Sequence, residues 1–159
     1  MAYHEHNSLI ENTLAFLGLN PVEARSAEDG QWVIFNGGTE IYIDLWEQKE
    51  QNGWMYFESD EPIFVFQAIS PVCYLPTSNL EAFYEELLQN NLNLLFASYT
   101  INKEQNMLAI KYRRICNGLK QEDIIEAIES VGYYNEITLN AIGDRYDIVK
   151  IETENSEKN

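Results

Sequence analysis

The chain has 159 residues, 45% of them hydrophobic and 13% aromatic, and its 26 acidic and 10 basic residues give a formal charge of -16. The hydrophobic content is typical of a globular domain with its own core, and it excludes a disordered acidic tail. A strongly negative field repels phosphate groups, so nucleic acid and anionic membrane surfaces are not expected as partners. A plainer interpretation is that the charge only keeps the molecules apart in solution.

Cysteine and histidine give no sign of a metal or catalytic site. Cys73 and Cys116 make neither a disulfide framework nor a zinc site, and they favour a reducing cytoplasm. His4 and His6 stand near the N-terminus without a third ligand at a suitable spacing. We therefore expect no metal, no cofactor and no enzyme activity. The first residues lack a basic region followed by a long apolar one, and no apolar run approaches 18 residues, so we expect neither secretion nor a membrane span.

The first part of the chain predicts one short helix. Ser8 and Glu11 have the capping-box spacing of a helix start, and Gly18 follows the last apolar residue of the repeat. The polar residues 22–31 are predicted to form a connector.

The next segment predicts an antiparallel sheet. Two strand-like stretches flank residues 36–38, whose glycines tolerate the positive φ of a tight hairpin turn. The second stretch alternates apolar and polar residues, which predicts a half-buried strand. Residues 54–57 are expected to continue the sheet. The apolar run over residues 63–69 predicts a central strand covered on both faces, with Pro71 and Pro76 bracketing its continuation.

A second helix and a change of periodicity follow. The helix is predicted to begin at Ser78, with Glu81 at the third helical position. Asn90 or Asn91 is expected to end it, because Asn tolerates the left-handed backbone and can bond the last carbonyls. The spacing then becomes an alternation, which predicts a strand beginning near Leu94.

The last part of the chain predicts a hairpin and a long helix. A polar turn over residues 103–106 joins the strand to a returning strand over residues 107–115. A helix or helix pair is expected from Gln121, with Gly132 as the point of a kink or division. We expect a single domain over residues 1–151 and a polar tail over residues 152–159.

This order of elements resembles a known fold. The resemblance is carried by the strand ending in ISPVCYLP, the junction ELLQNNLNLLFASY, the strand MLAIKYRRI and the helix opening NGLKQEDIIEAIESV. Over about residues 8–142 the chain resembles the type III secretion chaperone-like (CesT/Tir chaperone-like) family, and more closely its YbjN-like branch. It departs at Lys120, where many members carry Ser, Thr or Asp, and this weakens the helix cap.

The resemblance implies both a fold and a function. The fold is α+β in the order α-β-β-β-α-β-β-α, with an antiparallel sheet packed against helices. The function is that of a homodimer without enzyme activity, chaperone-like or regulatory, which captures a segment of a client protein.

An aromatic and acidic strip is the candidate client-binding site. Tyr42, Asp44 and Trp46 alternate on the polar side of one strand, and we add Tyr56 from the following segment. Such a strip suits an extended or basic peptide. Coverage by a helix of the same fold would explain it as well.

One cluster of basic residues, which we call the basic island, occurs in this acidic chain. It consists of Lys111, Arg113 and Arg114, and alternation sends Lys111 and Arg113 to one side of their strand. They could bind an acidic client or a partner subunit, or they could face the acidic helices of the same fold.

Interface and function leave alternatives open. Leu87 and Leu88 of the second helix, or Tyr133 and Tyr134 of the last, could form a symmetric dimer patch. The size and charge also suit an acidic immunity-type inhibitor of a basic toxin or enzyme. A third possibility is a regulatory domain that recognises no linear peptide.

Overall fold

A computed structural model describes residues 3–49 and 61–151. The helices are α1 (Tyr3–Phe16), α2 (Pro21–Ala24), α3 (Leu80–Asn90) and α4 (Gln121–Ile142). The strands are β1 (Gln31–Asn36), β2 (Thr39–Glu47), β3 (Phe64–Tyr74), β4 (Ser98–Asn102) and β5 (Met107–Ile115). The predicted α+β class and element order are confirmed, with α2 as an additional single turn. The expected strand over residues 54–57 and the tail over residues 152–159 lie outside the described residues.

The described strands form an antiparallel sheet in the order β1-β2-β3-β5-β4. In the first hairpin Asn36 lies opposite Thr39, so Gly37 and Gly38 form a two-residue loop with φ of 59° and 86°. Glycine adopts these angles without a steric penalty, which is why this turn closes the hairpin. The predicted hairpin is confirmed.

β3 is the central strand, as the apolar run predicts. Residues 65–68 are all buried, so both faces of the strand are covered there. The strand also runs through Pro71 to Tyr74, in agreement with the expected continuation between Pro71 and Pro76. A bulge between Pro71 and Cys73 shifts the pairing with β5 by one residue. The bulge accommodates a proline, which has no N–H to donate within a central strand.

One face of the sheet carries the core. Ile41 and Ile43 of β2 are fully buried on this face, and α1 and α4 pack against it. Within the core, Asn135 of α4 donates hydrogen bonds to Ser70 Oγ and the Pro71 carbonyl, each at 2.7 Å. The helix is therefore attached at the bulge of β3.

The predicted start of α1 at Ser8 is wrong, because the helix begins at Tyr3. Its buried residues His6, Ile10 and Leu14 are four apart, so the apolar face extends one turn further upstream than the capping-box spacing indicated. Glu11 instead bonds side chains outside α1. The connector after α1 also contains α2, which begins after Asn20, whose Oδ1 accepts the Val22 N–H at 3.1 Å.

The bounds of α3 agree in part with those predicted from the sequence. The helix begins at Leu80 and not at Ser78, after Asn79 with a left-handed φ of 55°. It ends at Asn90, as predicted, but the capping Asn91 is right-handed, so the expected left-handed asparagine is wrong. The Asn91 side chain instead accepts the Tyr99 N–H at 2.7 Å and thereby holds the helix end against β4.

The residues between α3 and β4 do not form the strand that alternation predicted. β4 begins at Ser98 and not near Leu94, and Phe96 has a left-handed φ of 63°. A residue in that conformation turns the chain and ends any regular strand pairing.

α4 is one continuous helix, so Gly132 does not divide it. A Cβ at Gly132 would lie 3.2 Å from Asn36 Nδ2, which explains a small residue at this contact with the β1–β2 turn. At the start of α4 the Lys120 N–H donates to Asp123 Oδ2 at 2.8 Å. Asp123 therefore supplies the capping bond at the position where Lys120 departs from the family pattern.

Candidate functional site

A hydrogen-bonded row crosses the sheet on the face opposite α4. Directly paired residues of antiparallel strands point to the same face, so Asp44, Gln67 and Arg113 lie side by side on β2, β3 and β5. Gln67 Nε2 donates to Asp44 Oδ2 at 2.8 Å. Gln67 Oε1 accepts from Arg113 Nε at 2.9 Å and Nη2 at 2.6 Å. A neutral amide thus links a carboxylate to a guanidinium.

Aromatic side chains flank this row. The Arg113 guanidinium lies over the Trp46 ring, with Cζ 5.1 Å from the ring centroid. Such cation–π contacts stabilise by about 0.5–1 kcal/mol at exposed sites. Trp46 Nε1 donates to Gln48 Oε1 at 3.2 Å, and the Tyr42 hydroxyl donates to Glu40 Oε1 at 2.9 Å. The aromatic rings are therefore oriented by polar contacts at their edges.

On this face burial disfavours the charged form of both an acid and a base. It raises the pKa of Asp44 above the ordinary value of 3.8, and the Gln67 hydrogen bond and the Arg113 charge oppose the shift. Burial also lowers the pKa of Lys111 below its ordinary value, and the neighbouring Arg113 charge acts in the same direction. Both charged forms therefore gain from any further partner of opposite sign.

Three of the four predicted client-binding residues lie together. Tyr42, Asp44 and Trp46 share the face of β2 that alternation indicated, and Tyr42 is 37% exposed. Tyr56 lies outside the described residues. Binding of a client at this strip stays a prediction. Sequence reasoning missed Gln67, because a lone amide in an apolar run gives no sign of its position opposite Asp44.

The basic island is divided between the two faces of the sheet. Arg114 Nη1 lies 3.0 Å from Asp123 Oδ1 of α4, so this cation faces an acidic helix of the same chain. Lys111 and Arg113 share one face of the sheet, as alternation predicted. This is the face of Tyr42, Asp44 and Trp46, which we call the strip face. Within the described residues neither of them forms an ion pair.

The residues predicted for a dimer interface differ in exposure. Leu87 is only 4% exposed and packs in the core of its own chain, whereas Leu88 is 71% exposed. Tyr133 is 62% exposed, and the Tyr134 hydroxyl accepts the Leu95 N–H at 3.0 Å. Dimer formation through these residues stays a prediction, for which Leu88 and Tyr133 have the accessible side chains.

The α3–β4 junction adds apolar surface that the sequence did not reveal. Three of its residues are strongly exposed, and sequence reasoning had assigned two of them to a strand that does not form. Together with one exposed residue of α3 and one of α4, we call these residues the apolar rim: Leu88, Leu92, Leu95, Phe96 and Tyr133. The hydrogen bond from the Leu95 N–H to the Tyr134 hydroxyl joins the junction to α4.

A polar cleft of about 540 Å³ lies elsewhere, between α1 and residues 25–32. At its wall the Glu11 carboxylate accepts from Arg25 Nε at 2.6 Å, Arg25 Nη2 at 2.8 Å and Trp32 Nε1 at 3.3 Å. The hydrogen bond from Arg25 lowers the pKa of Glu11. These contacts attach the segment before β1 to α1.

Both cysteines and His6 are buried, whereas His4 is exposed. Burial raises the pKa of Cys73 to about 11 and that of Cys116 to about 12, so both thiols remain protonated and unreactive at neutral pH. His6 is 4% exposed, packs against Phe64, and has its pKa lowered by burial. In the two described segments no three His, Cys, Asp or Glu side chains are placed to hold a metal ion. None of the helices in these segments is long and apolar enough to cross a membrane.

The fold can be compared with solved structures. A chain in the structure of the heterodimeric complex ExoU-SpcU from the type III secretion system of Pseudomonas aeruginosa is similar, with a TM-score of 0.54. The match covers 82% of this chain and 95% of that chain at 12% identity, so the likeness concerns the fold alone. The chain has a secretion-chaperone-like fold. No family model and no curated protein matches the sequence.

Proposed function

We propose that this secretion-chaperone-like chain is a non-enzymatic protein-binding module of the YbjN-like branch, a cytoplasmic homodimer that captures a segment of a client protein. Its role is chaperone-like or regulatory. The fold supports a protein partner, since the similar solved chain belongs to a heterodimeric complex. The single domain over residues 1–151 is the binding unit.

The apolar rim is the observation that carries this proposal. Leu92 is 90% exposed and Phe96 is 61% exposed, although apolar side chains of this size gain free energy from burial. An exposed apolar patch on a folded chain is typical of an interaction site, and Leu92, Leu95 and Phe96 lie within five positions of one another. Phe96 also keeps a left-handed φ of 63°, a backbone state that costs about 1–3 kcal/mol in a residue other than glycine. A residue that is both strained and exposed contributes to binding rather than to the stability of the monomer.

The rim and the strip have different tasks in this proposal. The rim, with Leu88 and Tyr133, forms the symmetric contact between two copies of the chain. The strip of Tyr42, Asp44, Trp46 and Tyr56 receives the client, because aromatic rings and a carboxylate suit an extended segment with apolar or basic residues. The charge of -16 selects basic or neutral clients and speeds their encounter.

The rim is tested by Phe96→Gly. Glycine tolerates the left-handed φ, so we expect the monomer to gain about 1 kcal/mol in unfolding free energy while self-association weakens. Phe16→Ser is the matched control, since Phe16 is 70% exposed and lies on α1. Sedimentation and urea unfolding measure the two effects. A wild-type chain that sediments strictly as a monomer contradicts the dimer, and a destabilised Phe96→Gly monomer contradicts the binding role of Phe96.

Salt separates client capture from the inhibitor alternative. A chaperone-like module retains several clients at high salt, because apolar contacts persist when charges are screened. An immunity-type inhibitor retains one basic enzyme and loses it as salt increases. Affinity purification at 50 mM and 1 M salt, repeated with Tyr42→Ser, distinguishes these outcomes and shows whether the strip takes part.

A further inference from the structure

Two cations on the strip face lack an anionic partner among residues 3–49 and 61–151. The strands β3, β4 and β5 contain no Asp or Glu at any position. On the strip face β5 contributes Lys111 and Arg113, and Lys111 lies opposite Ile69 of β3 and Ser98 of β4. This part of the sheet is therefore a local positive centre in a protein whose net charge is -16.

The other arginines show that this arrangement is specific to one place. The chain has four arginines, and three of them pair with a carboxylate of the same chain. These pairs are Arg25 with Glu11, Arg114 with Asp123, and Arg145 with Glu86. Arg113 alone has no carboxylate partner among the described residues, although acidic residues outnumber basic ones by 26 to 10.

Arg113 has N–H donors that its contact with Gln67 does not use. Its Nε and Nη2 both donate to one acceptor, the neutral Oε1 of Gln67, while a guanidinium carries five N–H donors. The nearest acid in the row, Asp44, accepts from Gln67 instead. Because charged acceptors make stronger hydrogen bonds than neutral ones, a carboxylate brought to this face would gain more from Arg113 than Gln67 does.

Of the two cations, Lys111 has the less favourable surroundings. It is half-buried between Ile69 and Ser98, neither of which carries a charge, and its nearest charged neighbour on the strand is another cation. A half-buried ammonium without a counter-ion is destabilising, and an anion beside it removes that cost.

We propose that Lys111, with Arg113 beside it, forms a carboxylate subsite that binds an Asp or Glu side chain of the client segment. This inference rests on the proposed function and adds the chemistry of one client residue. The row that contains Lys111 begins with Tyr42 and Ile69, so an apolar client residue packs on Tyr42 and Ile69 while the carboxylate reaches Lys111. Two strand spacings of about 4.8 Å separate β2 from β5, which corresponds to about three residues of extended chain.

The acidic field and the cationic subsite then have separate roles. The overall charge repels strongly acidic chains at long range, and screening confines that effect to about 8–10 Å at physiological salt. The subsite acts only on contact. A client segment that satisfies both is neutral or basic overall and contains one acidic residue in a fixed position.

Selection from a phage-displayed library of random twelve-residue peptides tests the subsite without a known client. The full-length wild-type chain is compared with Lys111→Met and with Arg114→Gln. The second variant is the matched control, because it removes one positive charge from the same strand on the opposite face. Circular dichroism and thermal unfolding confirm that each variant is folded before selection.

The outcomes separate the subsite from the proposed function. We expect wild type and Arg114→Gln to enrich peptides with apolar residues and one Asp or Glu about two to three positions from an apolar anchor. Lys111→Met should keep the apolar pattern and lose the acidic position. Enrichment of apolar peptides without an acidic position in wild type overturns the subsite and leaves the proposed function standing. No enrichment at all overturns both.

The affinity of a selected peptide gives the second measurement. Replacing its acidic residue, Glu or Asp, by Gln or Asn should weaken binding to wild type about fivefold, the size of effect expected for one partly buried charged contact. The same replacement should change binding to Lys111→Met by less than about twofold. An equal loss in both proteins places the carboxylate elsewhere and overturns the subsite.

Discussion

The two faces of the sheet are built on different principles. The face under α1 and α4 is mostly apolar, with Ile41 and Ile43 fully buried, and its buried polar side chains Asn135 and Ser70 are hydrogen-bonded to each other. The opposite face is held by the directional row of Asp44, Gln67 and Arg113. Apolar packing stabilises in proportion to buried area, whereas a polar row depends on each donor finding its acceptor. The first face therefore stabilises the fold, whereas the second has hydrogen-bond donors available to a partner.

The largest effect is expected on the helix-covered face. Ile43→Ala removes a fully buried side chain and leaves a cavity, so the unfolding free energy should fall by about 3 kcal/mol, against about 1 kcal/mol for Ile43→Val. Urea unfolding followed by circular dichroism measures both. A loss below 1 kcal/mol for Ile43→Ala would show that this face collapses around the cavity and is less tightly packed than described.

The next largest loss of unfolding free energy is expected from removing the hydrogen bonds of Asn135 on the same face. Asn135→Ala leaves Ser70 Oγ and the Pro71 carbonyl without their buried donor, at a cost of about 2 kcal/mol. Asn140→Ala on the exposed side of α4 is the matched control and should change stability by less than about 0.5 kcal/mol. Equal effects of the two substitutions would contradict the role of Asn135 at the bulge.

Replacing Gln67, the amide that links Asp44 to Arg113, should change the unfolding free energy less. Gln67→Leu fills a similar volume but removes the donor to Asp44 and the acceptor for Arg113, and it should destabilise by about 1–2 kcal/mol at neutral pH. Unfolding in urea at low and at high salt measures the loss. Stability equal to wild type would mean that the row contributes no net free energy and that this face is held by packing alone.

The smallest effect is expected from the charge of Asp44. Its pKa is higher in the folded chain than the ordinary 3.8, so the folded state binds the proton more tightly than the unfolded state does. The associated stabilisation is fully present below pH 3.8 and is lost as the pH rises through the raised pKa. Asp44→Asn keeps an acceptor for Gln67 without the charge. It should therefore unfold at slightly higher urea concentration than wild type at pH 7, and the difference should shrink or reverse at acid pH. A variant that is less stable than wild type at pH 7 would contradict the sign of this shift.

Sequence reasoning succeeded where the signal is local. The alternation in β2 identified the face of Tyr42, Asp44 and Trp46, and two glycines identified the hairpin turn. It failed where a distant contact decides the conformation. The start of α1 depends on packing of His6 against Phe64 of β3, which overrides the capping signal at Ser8.

The candidate site divides in the same way. The residue types of the strip and of the basic island were visible in the sequence, and so was the side to which each alternate residue points. Gln67 and the apolar rim were not visible, because their importance comes from a pairing register and from a left-handed residue at position 96. Neither feature leaves a periodic pattern in the chain.

The sequence by itself determined the class of the fold, the order of its elements and the strongly acidic field, because periodicity, turn residues and charge are properties of neighbouring residues and of composition. Only the tertiary structure decided which charges are paired. Arg114 and Arg113 are adjacent in the chain, yet one faces Asp123 and the other faces Gln67, because successive side chains of a strand point to opposite faces of the sheet. What lies across each face comes from strands and helices far away in the sequence, and that contact decides whether a cation is satisfied within the chain or available to a partner.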